Sequence, residues 1–188
     1  MIEDYLKNLK EKINYIDLIT YFLTNFKKIR KVDDFVARFQ SKVFDVTNTP
    51  EQQMIRLMEE SYPGEQGYSF IFQEDSTFGG VFDVDFVNGI LANFRAQLFA
   101  KGFFASSKIN KKYDSVLESL MNKYGKGIDR LHVYDKTWYD ENRGLVITLR
   151  KVKESPRSSI SFTITAEDFA QSVIYMIRDH ELEQSQGH

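Results

Sequence analysis

Apolar residues recur every three or four positions along the start of the chain: Ile2, Leu6, Leu9, Ile13, Ile16, Ile19, Leu23, Phe26 and Ile29. That spacing predicts an amphipathic helix. Unbroken, it would run for roughly eight turns, with Asp17 as the point where it is interrupted or restarts. A helix this long either wraps its own sheet or pairs with a second copy. The stripe ends in Lys27-Lys28-Ile29-Arg30-Lys31, bases that suit the carbonyl end of a helix dipole. Asp33-Asp34 can cap a second helix carrying Phe35, Val36, Phe39, Val43 and Phe44. Thr49-Pro50-Glu51-Gln52 predicts a third start, with Thr at the cap, Pro at the first helical position and Gln three residues after the cap. That helix extends to Ser61, where Tyr62-Pro63-Gly64-Glu65-Gln66-Gly67 breaks the chain.

Beyond the break the apolar period shifts from about 3.6 to 2. Tyr68 to Gln73 reads as a strand, and Phe78-Gly79-Gly80 as a turn. Phe82, Val84 and Phe86 alternate with Asp83 and Asp85, which gives one apolar and one acidic face. Asn88-Gly89 is the favoured two-residue hairpin turn. The return strand places Ala92, Phe94, Ala96 and Leu98 against Asn93, Arg95 and Gln97, so Arg95 or Gln97 can pair across with Asp83 or Asp85. Ser106-Ser107 opens a helix with Ile109, Tyr113, Val116, Leu117, Leu120 and Tyr124 on one face, stopped by Gly125. Then follow a strand over 131–139, a turn at Asp140-Glu141-Asn142-Arg143-Gly144, strands over 145–152 and 159–164, and a final helix opened by Thr165-Ala166-Glu167-Asp168.

The expected fold is α+β: a helical region over 1–62, an antiparallel α+β domain over 67–183 and a frayed tail over 184–188. The domain reads strand-strand-strand-helix twice. It predicts a five- or six-stranded sheet with its helices on one face.

Composition narrows function mostly by exclusion. The chain has 188 residues, 42% of them hydrophobic, with 16 Phe, 10 Tyr, one Trp and no Cys. Disulfides and thiolate chemistry are therefore absent, and the cysteine-free composition is compatible with a reducing, cytoplasmic setting. The start lacks a signal-peptide pattern, since Glu3 and Asp4 stand where bases belong. The most apolar N-terminal stretch, Ile13 to Phe26, is too short and too polar to span a bilayer. Net charge is −2, which gives no overall attraction to nucleic acid or membrane. Locally, 60–90 holds six acids and no base, whereas 101–130 holds seven bases against three acids. Blocks of this kind usually form solvated faces.

Catalytic signatures are sparse. Neither phosphate-loop motif occurs, and Gly125-Lys126-Gly127 follows a helix where a phosphate cradle would precede one. His132, His180 and His188 form no zinc-protease motif. Asp179, His180 and Glu183 share the end of a helix, most simply a solvated one. GxSxG is missing. Asp83 and Asp85, roughly 6.5–7 Å apart along a strand, have the spacing of an acid–base pair, but equal environments would leave both ionised. No cofactor is indicated. Arg143, Arg150, Lys151, Lys153 and Arg157 make a locally basic hairpin near Trp138 and Tyr139, which raises weak nucleic-acid binding as a third reading; lysines and arginines on edge strands also simply discourage aggregation. Trp138, Tyr139 and Arg143 at one hairpin tip are residue types enriched at binding hot spots. The expected function is a non-enzymatic module, adaptor-, immunity- or chaperone-like, binding another protein or a second copy of itself. The alternative is an enzyme or small-ligand binder using Asp83, Asp85 or His132 in a cleft between helices and sheet.

Overall fold

The Asn88-Gly89 turn holds the centre of the architecture. Both residues are left-handed, at φ 52° and 75°, the geometry that lets a two-residue turn follow the twist of its strands. The strands it joins pair Asp83 with Arg95 and Val84 with Phe94. The computed structural model describes residues 12–29, 44–45, 65–154 and 157–186. The expected helices over 33–43 and 49–61, and the first third of the N-terminal stripe, lie outside these residues.

The described elements are α1 (Tyr15–Asn25), β1 (Phe44–Asp45), β2 (Glu65–Gln73), β3 (Phe78–Val87), β4 (Ile90–Ala100), α2 (Ala105–Tyr124), β5 (Ile128–Asp129), β6 (Lys136–Asp140), β7 (Leu145–Glu154), β8 (Arg157–Ala166) and α3 (Gln171–Gln186). The strands form one eight-stranded sheet in the order β1-β2-β3-β4-β8-β7-β6-β5, with every pairing antiparallel. The α+β class stands, but the strand count exceeds the expected five or six because a two-residue strand borders each edge. One of these, β1, contains Phe44, which was expected on a helix and instead pairs with Ile71. The expected strand over 131–139 is shorter. Arg130 and His132 adopt positive φ, and Arg130 N–H donates to the Asp135 carbonyl, so 130–135 is a turn and β6 begins at Lys136.

The stripe at the N-terminus does not continue through Ile13. Asn14 is extended, and its side chain accepts from the amides of Ile16 and Asp17, an N-cap that starts the helix there. The Ile13 amide donates instead to Gln73 on β2.

The helices also do not share one face. Residues of β7 alternate between two cores. Leu145, Ile147 and Leu149 join α1 and α2 in the main cluster, while Val146 meets Ala170 and Ile174 of the C-terminal segment in a separate one. A run over 145–149 with Thr148 as its one polar residue can be buried on both faces, and α3 covers the second. Helix α3 continues to Gln186, past the expected fraying point.

The main core is aromatic. Phe22 of α1 stacks on Phe94 at 3.8 Å between centroids and tilts against Phe82. Tyr15 stacks on Phe72, and its hydroxyl donates to the Ala96 carbonyl at 2.9 Å. Helices α1 and α2 lie side by side and run the same way, with Ile16, Ile19 and Leu23 facing Val116 and Leu120.

Phe22→Ala removes the ring at the centre of this cluster and is expected to cost about 3–5 kcal/mol, measured as a lowered urea midpoint at unchanged m-value. Burial, then the nearby Glu74 carboxylate, raises the Tyr15 pKa. An unfolded phenol ionises near pH ~10, while the folded one keeps its proton. Above that pH the unfolded state binds fewer protons, so this contribution is complete below it and is lost as pH rises further. Tyr15→Phe should therefore flatten the alkaline fall in stability while costing about 1 kcal/mol at neutral pH, as read by denaturation at several pH values.

Candidate binding groove

Strand β5 pairs only with Lys136 and Thr137. Past it, Trp138 to Asp140 have no outer strand among the described residues. An open groove of about 700 Å³ runs along this edge. Its walls come from both faces of the sheet: Lys123 and Tyr124 at the end of α2, Ile177 and Glu181 of α3, and the 140–143 turn.

Trp138 is 4% exposed and belongs to the main core. Its Nε1–H donates to the Gly125 carbonyl at 3.0 Å. The chain returns over the indole at Gly127, where φ is 66° and a Cβ would stand 2.5 Å from Trp138 Nε1. Tyr139 points to the opposite face and donates to Glu167 Oε2 at 2.8 Å; that bond, ahead of burial, raises its pKa.

Arg143 is the most connected polar group in the groove. Its Nε donates to Asp140 Oδ2 at 2.7 Å, Nη1 to the Leu23 carbonyl and Nη2 to the Tyr124 hydroxyl, with the guanidinium near the Tyr124 ring. One planar fork thus joins the 140–143 turn to the C-terminal ends of α1 and α2. Lys123 beside it is pushed down by burial and by repulsion from Arg143.

At the floor, Thr137 is 0% exposed and its Oγ1 has no hydrogen-bond partner.

Trp138, Tyr139 and Arg143 therefore all line the groove, although they face different ways. The sequence carried no mark for Tyr124, Thr137 or Glu181. Tyr124 read only as the last apolar residue of a helix, and Thr137 as an interior strand position.

The remaining candidates lie elsewhere. Asp83 accepts from Ser69 at 2.6 Å and from two Arg95 nitrogens at 3.1 Å, and Asp85 accepts from Asn93; both occupy the face away from α1 and α2. His132 is exposed on the 130–135 turn. His180 bonds Gln184 on the surface of α3. No cluster of three metal-ligating side chains occurs among the described residues. Of the basic hairpin, Arg143 stands at one end of β7 and Lys153 near the other, about 30 Å away at strand rise, while Lys151 lies over the Tyr113 ring at 4.9 Å.

No protein-family model, curated protein or solved structure matches this chain.

Replacing the fork tests its structural share. Arg143→Ala leaves the Tyr124 hydroxyl, Asp140 and the Leu23 carbonyl without their donor and is expected to cost about 2 kcal/mol. Arg143→Lys keeps the charge but reaches fewer partners, and should recover less than half of that loss in chemical denaturation.

Proposed function

We propose that this protein is a non-enzymatic interaction module that captures an extended segment of a partner protein along the open edge of β6. The observation that carries this reading is the outer side of Trp138–Asp140, which has no strand partner among the described residues, flanked by a helix on each side at the floor of a groove large enough for several side chains. A strand edge offers backbone donors and acceptors in register, and neighbouring pockets then select alternate side chains. Three open residues correspond to about 10 Å of extended chain, enough for a short segment to add as a strand. Arg143 is already bonded to Asp140 and Tyr124, and Tyr139 to Glu167, so the walls are preorganised, which lowers the entropy lost on binding.

A displayed library of linear peptides panned against the full chain should yield ligands with Kd on the order of micromolar. Their binding should slow amide exchange over 136–143 and weaken on Glu181→Arg, which alters the rim. Peptides that bind while exchange over 136–143 is unchanged would relocate the site. A library without binders, beside turnover found in a substrate screen, would favour the enzyme reading.

A further inference from the structure

Between β4 and α2 the chain turns through Gly102, Phe103 and Phe104. The two phenylalanines are 92% and 83% exposed, while every other phenylalanine whose burial is described is buried or half-buried. Phe104 is left-handed at φ 65° and stands at the N-cap of α2 without a side-chain capping bond. A bulky residue is disfavoured in this conformation, and glycine or asparagine would make the same turn with less strain. Neither folding nor capping explains aromatic residues here.

Four lysines surround the tip. Lys101 precedes it. Lys108 lies one helical turn on, its amide donating to the Phe104 carbonyl at 3.1 Å, and Lys111 follows on the exposed surface of α2. Lys153 pairs in register with Ser158, whose hydroxyl is 3.1 Å from that of Ser106, so the β7–β8 hairpin brings it alongside. None of these four is in an ion pair among the described residues. Of the described carboxylates on this side, Glu74 holds Lys112 and Asp75 accepts from the amides of Thr77 and Phe78, while Asp114, three residues beyond Lys111 on α2, is exposed.

We propose that this tip docks the protein on an anionic lipid surface, with Phe103 and Phe104 entering the headgroup–acyl boundary and the lysines meeting the lipid charges. A specific protein interface needs roughly 800 Å² from each partner, far more than two projecting rings provide. A bilayer surface accepts a small apolar wedge, and wedge and bases together supply the two signals that stable anchoring requires. The chain's net charge of −2 does not oppose this, because charges beyond a Debye length of about 10 Å are screened. The contact is peripheral: no helix among the described residues is long and apolar enough to cross a membrane.

The full chain should float with phosphatidylcholine vesicles containing phosphatidylserine and stay behind with phosphatidylcholine alone, and added salt should release it. Phe103→Ser with Phe104→Asn, a residue that tolerates the left-handed turn, should lower partitioning at least about tenfold. Lys108→Glu with Lys111→Glu should do likewise, both pairs keeping the wild-type circular dichroism with a melting temperature no lower than that of the wild type. Failure to bind phosphatidylserine vesicles at low salt would overturn the proposal, as would binding unchanged by the phenylalanine substitutions. A wild-type dimer that those substitutions dissociate, without vesicle binding, would also overturn it and assign the tip to contact between copies.

Discussion

The seating of α1 on the sheet is the contact on which the rest depends. Strands β3, β4 and β8 present Phe82, Phe94 and Phe162 on one face, and an aromatic face of this size must be covered. Phe22 lies flat on Phe94, with Phe82 and Phe162 around it. Stacked and tilted rings add direction to area burial, so the helix is fixed in azimuth as well as in depth. From that position Tyr15 reaches the β4 backbone at one end, and the Leu23 carbonyl reaches Arg143 at the other.

Charge completes what packing begins. Glu74, on the turn after β2, accepts from Asn14 and from the Tyr15 amide at the start of α1 and pairs with Lys112 of α2. Arg143 closes the opposite end against the Leu23 carbonyl in the last turn of α1 and the Tyr124 hydroxyl of α2. An acid stands at the helix N-terminus and a base at the C-terminus, each where the backbone dipole favours it. Because α1 and α2 are parallel, their dipoles repel slightly, and two brackets of opposite sign at opposite ends offset this. The brackets also set the register of α2, whose end forms one wall of the groove.

The sequence made the β3–β4 hairpin legible in its faces and its turn. Alternation marked which residues face the core and Asn88-Gly89 marked the turn, and local signals sufficed for these because the partners are close in sequence. The cross-strand partner stayed open between Arg95 and Gln97: a regular register from the turn would set Phe94 across from Asp83, and the irregularity between Asp85 and Phe86 moves Arg95 there. Elsewhere the deciding contacts are distant. The helix begins at Asn14 rather than running through Ile13 because β2 takes the Ile13 amide. The second core escaped notice because Val146 sits inside the run Leu145–Leu149, where Val146 and the polar Thr148 on one face alternate with Leu145, Ile147 and Leu149 on the other, so period marks only one of the two faces clearly. Of the groove, the residue types at the 138–143 tip stood out, but Arg143 could not be joined to Leu23 or Tyr124 without knowing that three elements meet there. Phe103 and Phe104 did leave a signal: two large apolar residues between a strand and a helix, fitting the period of neither.

The groove and the phenylalanine tip stand at opposite ends of α2, about 30 Å apart for a helix of its length. Neither shares a residue with the other, and the sheet between them is rigidly paired through seven ladders. A ligand at one end therefore does not cover the other. A chain held to a lipid surface by its tip would present the β6 edge away from that surface, facing solvent. The two surfaces are then complementary in use: one confines the protein to a plane, and the other remains open to a partner, whose effective concentration rises if it is confined to the same plane.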